Sequence, residues 1–481
     1  MPRVVIVWWF LVLAGATAAG ALLRQGQQAR HEEKSIVDIG TRLEPFVDAY
    51  LIERLDRAEL RLTPPVRREI VLTLDRAWEG PASAYFTVFR DGDRTRLYYR
   101  GYCPSDLADQ QVTCYAESND GIHFDRPALG LYGFGGNGAN NIVYRGVEAH
   151  NFAPFRDRNP AAPPDAAYKA VAGVSSKLYA FASADGLRWR KLSPEPVLTK
   201  GAFDSLNVAF WDTQAGLYRC YSRAWTGGGY GGVRAIQSAT SQDFLHWTDP
   251  IPNAYAPGVP VEHFYTNATV PHPGAPHILL SFPKRFLPER TKLAGYKEPG
   301  VSDAVFMTSR DGVGWDRSFR EAWLRPGLDQ RNWTQRSNMP AWGVVETGDE
   351  FSFYVSEHYD WPDNRLRRVT VPRTRIAGIH AGAEGGSCLT RPLRFVGKDL
   401  FVNYSTSAGG SVVVELLDPS SAPVPGFAAE DFDPLYGDEF DAIVRWKGGR
   451  LGDARVNPVR LRVRLADAEL YSIRTGSADA R

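Results

Sequence analysis

The sequence is short of several things, and each shortage excludes a class of protein. It has four cysteines and nine histidines in 481 residues. No Cys-x-x-Cys pair and no His-Glu-x-x-His run occurs, so no zinc site and no other metal is expected. Charge of neither sign dominates: 56 Lys and Arg stand against 55 Asp and Glu. Without a basic run to follow a phosphate backbone, a nucleic-acid partner is not expected. No long amphipathic helical pattern stands out. A single uncharged run of membrane-spanning length occurs, Val4 to Leu23, preceded by Arg3 and carrying the small residues Ala19-Gly20-Ala21. Residues 1–34 therefore read as a signal peptide, or an uncleaved anchor, plus a linker. The remainder is expected to be exported: secreted, periplasmic or held at the outer face of a membrane. Gly133-Phe-Gly135-Gly136-Asn-Gly138 matches a dinucleotide-binding pattern but leads into a strand, Asn140-Asn-Ile-Val-Tyr-Arg. Pyrophosphate binding needs a helix N-terminus there, so no nucleotide and no other cofactor is expected.

What the chain does have is a repeat. Ser118-Asn-Asp120-Gly121-Ile-His-Phe124, Ser183-Ala-Asp185-Gly186-Leu-Arg-Trp189, Ser241-Gln-Asp243-Phe244-Leu-His-Trp247 and Ser309-Arg-Asp311-Gly312-Val-Gly-Trp315 share one template, Ser-x-Asp-Gly-x-x-aromatic. Only the third departs, with Phe244 in place of Gly. The motif Asp recurs after 65, 58 and 68 residues, a period that suits one four-stranded propeller blade with generous loops. Ser and Asp side chains cap the backbone donors of a tight turn, and Gly supplies positive φ. The aromatic fills the space between neighbouring sheets. Aromatics make up 12% of the chain, including 13 Trp and 21 Tyr, which suits such packing and also stacking on sugars.

Strand signals dominate between the motifs, as in Ala84–Phe89, Thr95–Tyr99, Leu217–Ser222 and Glu350–Ser356. Residues 336–377 form a fifth unit without the motif. The expected fold is all-β: a five-bladed β-propeller over 35–380, closed by a strand from the segment before Glu79, which includes Phe46–Ile52, then a small β-sandwich over 381–475 and a tail at 476–481. Cys103 and Cys114 flank a short loop between two strands. An antiparallel pair would bring them into bonding range in an oxidising compartment, so a disulfide is expected.

The four motifs, Trp78-Glu79-Gly80-Pro81 and the Phe203–Asp212 segment resemble the five-bladed propeller glycosidases of the arabinanase–xylosidase and invertase–levanase groups. They also resemble secreted proteins described as similar to the glycosyl hydrolase family 32 N-terminal domain. The resemblance covers roughly residues 37–380. Neither Asn-Asp-Pro-Asn-Gly nor Arg-Asp-Pro, which mark catalytic positions in those families, occurs here.

In a propeller the start of each inner strand and the end of each second strand reach the same face. Glycoside hydrolysis needs two carboxyls across the scissile bond. The resemblance implies a base or nucleophile at the start of the first blade and an acid near the start of the third. Those positions map onto Glu79 and Asp204, with Glu262 and Glu357 as rivals. Arg100, Asn151, Asn207, Arg223, Tyr265, Asn267, Arg285, Arg336, Asn338 and His358 are the expected substrate-binding side chains. The expected function is an exported glycoside hydrolase acting on a poly- or oligosaccharide. The alternative is a carbohydrate-binding propeller without a competent carboxyl pair.

Overall fold

The structure is a computed structural model that describes residues 36–102 and 111–478. The segment read as a signal or anchor lies outside the described residues. Among the described residues no helix is long and apolar enough to cross a membrane, and the regular structure is nearly all strand. The chain divides into two compact units, Leu62–Ala377 and a second that joins Met1–Arg61 to Gly378–Arg481.

The second unit is built on two long antiparallel strands, Asp399–Leu417 and Arg460–Gly476, within an eight-stranded sheet. Alternate residues Val412, Val414 and Leu416 are buried against Leu461, Val463 and Leu465, as the period of a strand requires. Residues 37–61 belong here and not with the repeats. Phe46 and Leu51 are buried in the same core as Trp446 and Leu470. Within the segment before Glu79 expected to supply the closing strand, the Phe46–Ile52 part therefore does not serve. Asp48 Oδ1 instead accepts from Tyr50 N across a turn at 3.0 Å. The closing role falls to Val66–Thr73, antiparallel to Arg365–Pro372. An outer strand is exposed along much of its length, so it carries charge (Arg67, Arg68, Glu69) and reads as polar.

Among the described residues the larger unit holds five antiparallel groups of strands in chain order, with a short parallel pair, Ala254–Tyr255 and Gly314–Trp315, beside them. The first sheet holds Ala84–Asp91, Arg94–Tyr102, Gln111–Ser118 and Ile142–Arg145; the second holds Ala153–Arg156, Tyr168–Val174, Lys177–Ser183 and Arg190–Lys191. The third holds Val208–Asp212, Leu217–Trp225, Arg234–Ser241 and Ile251–Pro252. The fourth is split into two three-stranded pieces, 263–304 and 270–309. The break falls at Phe282-Pro283, where proline cannot donate to the ladder. The fifth joins Met339–Pro340, Glu350–Glu357 and Arg365–Pro372 to Val66–Thr73. First strands of neighbouring groups touch: Val88 N donates to Trp342 O at 2.8 Å, Trp342 N to Phe86 O at 2.9 Å and Ser205 Oγ to Tyr265 O at 2.8 Å.

All four motif turns share one hydrogen-bond pattern. Ser Oγ accepts from the amide three residues on, and Asp Oδ1 accepts from the amides two and three residues on, at 2.7–2.9 Å throughout. Each turn also locks to the preceding sheet. Tyr354, Tyr98 and Tyr221 donate their hydroxyls to Gly121, Gly186 and Gly312 carbonyls at 2.6, 3.0 and 2.9 Å. A Cβ at Gly186 would meet Tyr98 Oη at 2.8 Å, so glycine is required there for space as well as for its φ of +76°. The third copy is the exception that explains itself. In the sheet before it the tyrosine position holds Val171. Phe244, at φ +70°, packs its ring against Tyr218 and Phe155 at 5.1 and 5.6 Å.

Candidate active site

The strand registers place the motif turns and the starts of the first strands at opposite ends of each sheet. Ser118 pairs with Thr95 and Thr95 with Arg90, whereas Ala84 pairs with Arg100. At the Ala84–Arg100 end, side chains from all five groups converge. They are Tyr85 and Arg100 from the first, His150 from the turn into the second, Asp204, Arg223 and Arg234 from the third, Tyr265 and Lys284 from the fourth, and Arg336 with Tyr359 from the fifth.

Two tyrosines sit at the centre. Tyr85 Oη lies 3.5 Å from Tyr265 Oη, and both rings are buried. Tyr85 has φ +59°, an uncommon conformation for a bulky residue, held here to present the ring. Cations surround the pair. The Arg100 guanidinium lies 4.7 Å over the Tyr85 ring; Arg223, Arg234 and Lys284 lie 5.3, 5.6 and 4.1 Å from the Tyr265 ring centre. Arg336 Nη1 donates to Tyr359 Oη at 2.8 Å. Asp204 is ion-paired with Arg223, and its side chain is 40% exposed against 4% for the arginine. Its backbone oxygen lies 3.3 Å from His150 Nε2. Glu298 Oε2 stands 3.7 Å from Arg336 Nη2 and has no hydrogen-bond partner.

This concentration of positive charge alters ionisation. Burial opposes ionisation of the Tyr265 phenol, yet Arg336 and Arg223 hold it below its usual value. Burial pushes Tyr85 well up. Burial and then Arg100 push His150 down to about 3, so it is neutral at ordinary pH. Burial, followed by Arg336, Arg234 and Arg223, drives the Lys284 ammonium well below its usual range.

Of the four expected catalytic carboxylates, the cluster contains only Asp204. Glu79 is enclosed in the first sheet, its side chain 0% exposed. It accepts from Tyr99 Oη at 2.5 Å, Arg126 Nη1 at 2.8 Å and Arg76 N at 3.0 Å. Glu262 bridges Arg285 at 2.9 Å and Arg317 at 2.7 Å. Glu357 is held by Arg365, Arg367 and Arg67 at 2.9, 2.8 and 3.3 Å. Burial opposes its charge, but Arg367 and Arg365 keep the carboxyl below the usual range.

The expected binding residues divide the same way. Arg100, Arg223, Tyr265 and Arg336 converge on the centre. The four asparagines instead tie chain to chain. Asn151 Nδ2 donates to Gly173 O and Phe203 O at 2.7 and 2.5 Å, and Asn207 Nδ2 to Phe203 O and Ser205 O at 2.9 Å each. Asn267 Nδ2 donates to Tyr221 O at 3.3 Å, and Asn338 Nδ2 to Ser302 O and Asn332 O at 3.0 and 2.8 Å. Arg285 pairs with Asp303 at 2.6 Å, and His358 lies between Asp329 and Asp363 at 2.7 and 2.9 Å.

Arg285 and Glu357 miss the centre for one reason. The strand positions equivalent to Arg100 and Arg223 are Lys284 and Ser356, each one residue earlier, and one residue along a strand reverses the face. Tyr85, Arg234, Lys284 and Glu298 were not among the expected residues. For Lys284 a signal existed: aligning Tyr99-Arg100, Ser222-Arg223 and Pro283-Lys284 picks it out.

The expected Cys103–Cys114 disulfide meets a correction at one end. Cys114 is a buried free thiol, while Cys103 lies outside the described residues. Cys114 pairs with Tyr99, three positions inside the end of its strand, and faces the core beside Gly101. No group of His, Cys, Asp and Glu that could hold a metal ion occurs among the described residues.

No protein-family model and no curated protein sequence matches the chain. Solved structures do. One described as "Glycoside hydrolase" shares 11% identity over 64% of this chain and 92% of its own, with a TM-score of 0.44. A thermostable family-43 glycoside hydrolase shares 14% over 60% and 88%, TM-score 0.41. The β-1,2-mannobiose phosphorylase from Listeria innocua, in complex with β-1,2-mannobiose, shares 13% over 65% and 98%, TM-score 0.43.

Proposed function

We propose that the five groups of strands are the blades of a β-propeller and that the cluster at the Tyr85–Tyr265 end is the active site of an exported enzyme that cleaves glycosidic bonds. The observation that carries this is Asp204: an open carboxylate, on a rigid arginine, where side chains from all five groups meet. Asp204 suits the base or nucleophile because Arg223 stabilises its charge. Glu298, whose Oε2 lies 3.7 Å from Arg336 Nη2 without a hydrogen bond, is the second carboxyl at the cluster, in place of the expected Glu79. Hydrolysis then adds water across the glycosidic bond: one carboxyl of the pair gives a proton to the leaving oxygen, and Asp204 accepts the proton of the water that attacks the anomeric carbon. Tyr85 and Tyr265 offer ring faces and hydroxyls for sugar contacts. Export is supported by the composition of residues 4–23.

The test is turnover of aryl glycosides and plant and algal polysaccharides by the purified protein and by Asp204→Asn. Release of reducing ends by the unmodified protein, lost in the variant, supports the reading. Sugar binding without turnover turns the reading to a carbohydrate-binding protein. Full activity in Asp204→Asn contradicts the assignment.

A further inference from the structure

The cations of the cluster outnumber its carboxylates. Arg100, Arg223, Arg234, Lys284 and Arg336 converge there, and only Asp204 and Glu298 face them. Elsewhere in this unit buried cations are matched: Arg219 with Asp212, Lys169 with Asp157, Arg317 with Glu262 and Arg126 with Glu79. In the cluster three cations have no carboxylate partner among the described residues. Arg100 donates to the Ala82 carbonyl at 2.7 Å and to Tyr359 Oη at 3.5 Å. Arg234 stacks at 4.3 Å on Trp225 and lies near His263. Lys284 is 0% exposed, and its Nζ has no hydrogen-bond partner at all. The Nε atoms of Arg100, Arg223, Arg234 and Arg336 are unpartnered too.

Clustered guanidiniums repel one another, and burial among them disfavours the charged form of Lys284, a cost that an arriving anion would offset. Folding does not require them, since the second sheet carries Gly173 at the strand position of Arg100. Surplus positive charge retained around an open carboxylate is what a site for an anionic group requires. Resting on the reading of this cluster as a sugar-cleaving site, we infer that its substrate is an acidic glycan, whose carboxylate or sulfate group seats against Lys284, Arg234 and Arg100 beside the Tyr85–Tyr265 pair.

The experiment is calorimetric titration of the full chain with matched methyl glycosides: β-D-glucuronide against β-D-glucoside, and α-D-galacturonide against α-D-galactoside. Galactose 6-sulfate and inorganic phosphate complete the series. The expected result is that the acidic member of at least one pair binds about tenfold or more tightly than its neutral isostere, the worth of one charge-assisted hydrogen bond. Preference for galactose 6-sulfate over the uronides identifies sulfate as the group; the reverse identifies carboxylate. In Lys284→Met the preference should shrink toward unity. Because the selectivity is read first in the unmodified protein, a variant that fails to fold does not remove the test. Equal or tighter binding of the neutral members overturns this inference and leaves glycan cleavage standing. Binding of inorganic phosphate alone overturns a sugar-borne anion. No binding by any member, with no turnover of any glycan, overturns both readings.

Discussion

The two ends of the same strands obey different rules. At the motif end the Ser and Asp side chains of each turn find their partners within three residues, and the pattern repeats four times. At the other end no pattern repeats: tyrosines, cations and a lone open carboxylate are drawn from positions up to 274 residues apart, Tyr85 to Tyr359. Capped turns, interlocking tyrosines and a plugging aromatic hold the blades in register. The unmatched charges of the other end serve no such purpose, and buried charge without a partner costs stability. The contrast separates what the fold needs from what a ligand needs.

The largest effect that tests this contrast is catalytic. Asp204→Asn should lower turnover by about 10²–10⁴-fold with the melting temperature nearly unchanged, measured by reducing-end release and calorimetry. Next is Glu79→Ala, which belongs to the structural class despite its expected role. Removing a buried carboxylate that accepts from Tyr99, Arg126 and the Arg76 amide should cost about 3–5 kcal/mol in urea unfolding, because those donors lose their acceptor and Arg126 keeps only the exposed Asp75 and the Thr73 carbonyl. A Glu79→Ala protein of unchanged stability but no activity would return Glu79 to the site.

Phe244→Gly sharpens the contrast from the motif side. It restores the template residue but empties the space that Val171 leaves. A loss of about 2–4 kcal/mol is expected, the cavity term outweighing the relief of a positive φ. A stabilised variant would show that the ring is incidental.

Acid should attack the motif end. The Asp120 carboxyl is held well below its usual value, by His123 first and then by backbone amides. For Asp185, Asp243 and Asp311 burial opposes the charge, but the amides two and three residues on outweigh it. Folded values below the unfolded value of about 3.9 mean stability that is present above that pH and lost as pH falls toward the folded values. Melting temperature should therefore drop below about pH 4, and Asp243→Asn should flatten that drop. The smallest effect is chemical. Burial pushes the Cys114 thiol well up, and Cys220 and Cys388 up to about 12. All three should react with a disulfide reagent only after unfolding.

What the sequence disclosed follows the same division. Motif chemistry is local, so Ser118 to Phe124 and its copies read directly as turns, and the period read directly as repeated sheets. The closing strand lies in the expected segment before Glu79, but its place there did not read directly, because Val66–Thr73 is an exposed edge that looks polar, while apolar Phe46 serves the other unit. The site was half legible. Arg100, Asp204, Arg223, Tyr265 and Arg336 follow from position in the strand. Arg285 and Glu357 do not, because a one-residue offset turns a side chain to the opposite face, and Glu262 is drawn to Arg285 and Arg317 instead. Glu298 comes from a long connection whose path no periodicity reveals.

The most direct test sets the two classes of carboxylate against each other on one substrate. Measured kcat/KM for Asp204→Asn and Glu262→Gln, with melting temperatures alongside, should show the loss confined to Asp204→Asn. An equal or greater loss in Glu262→Gln at unchanged stability would contradict the placement of the active site.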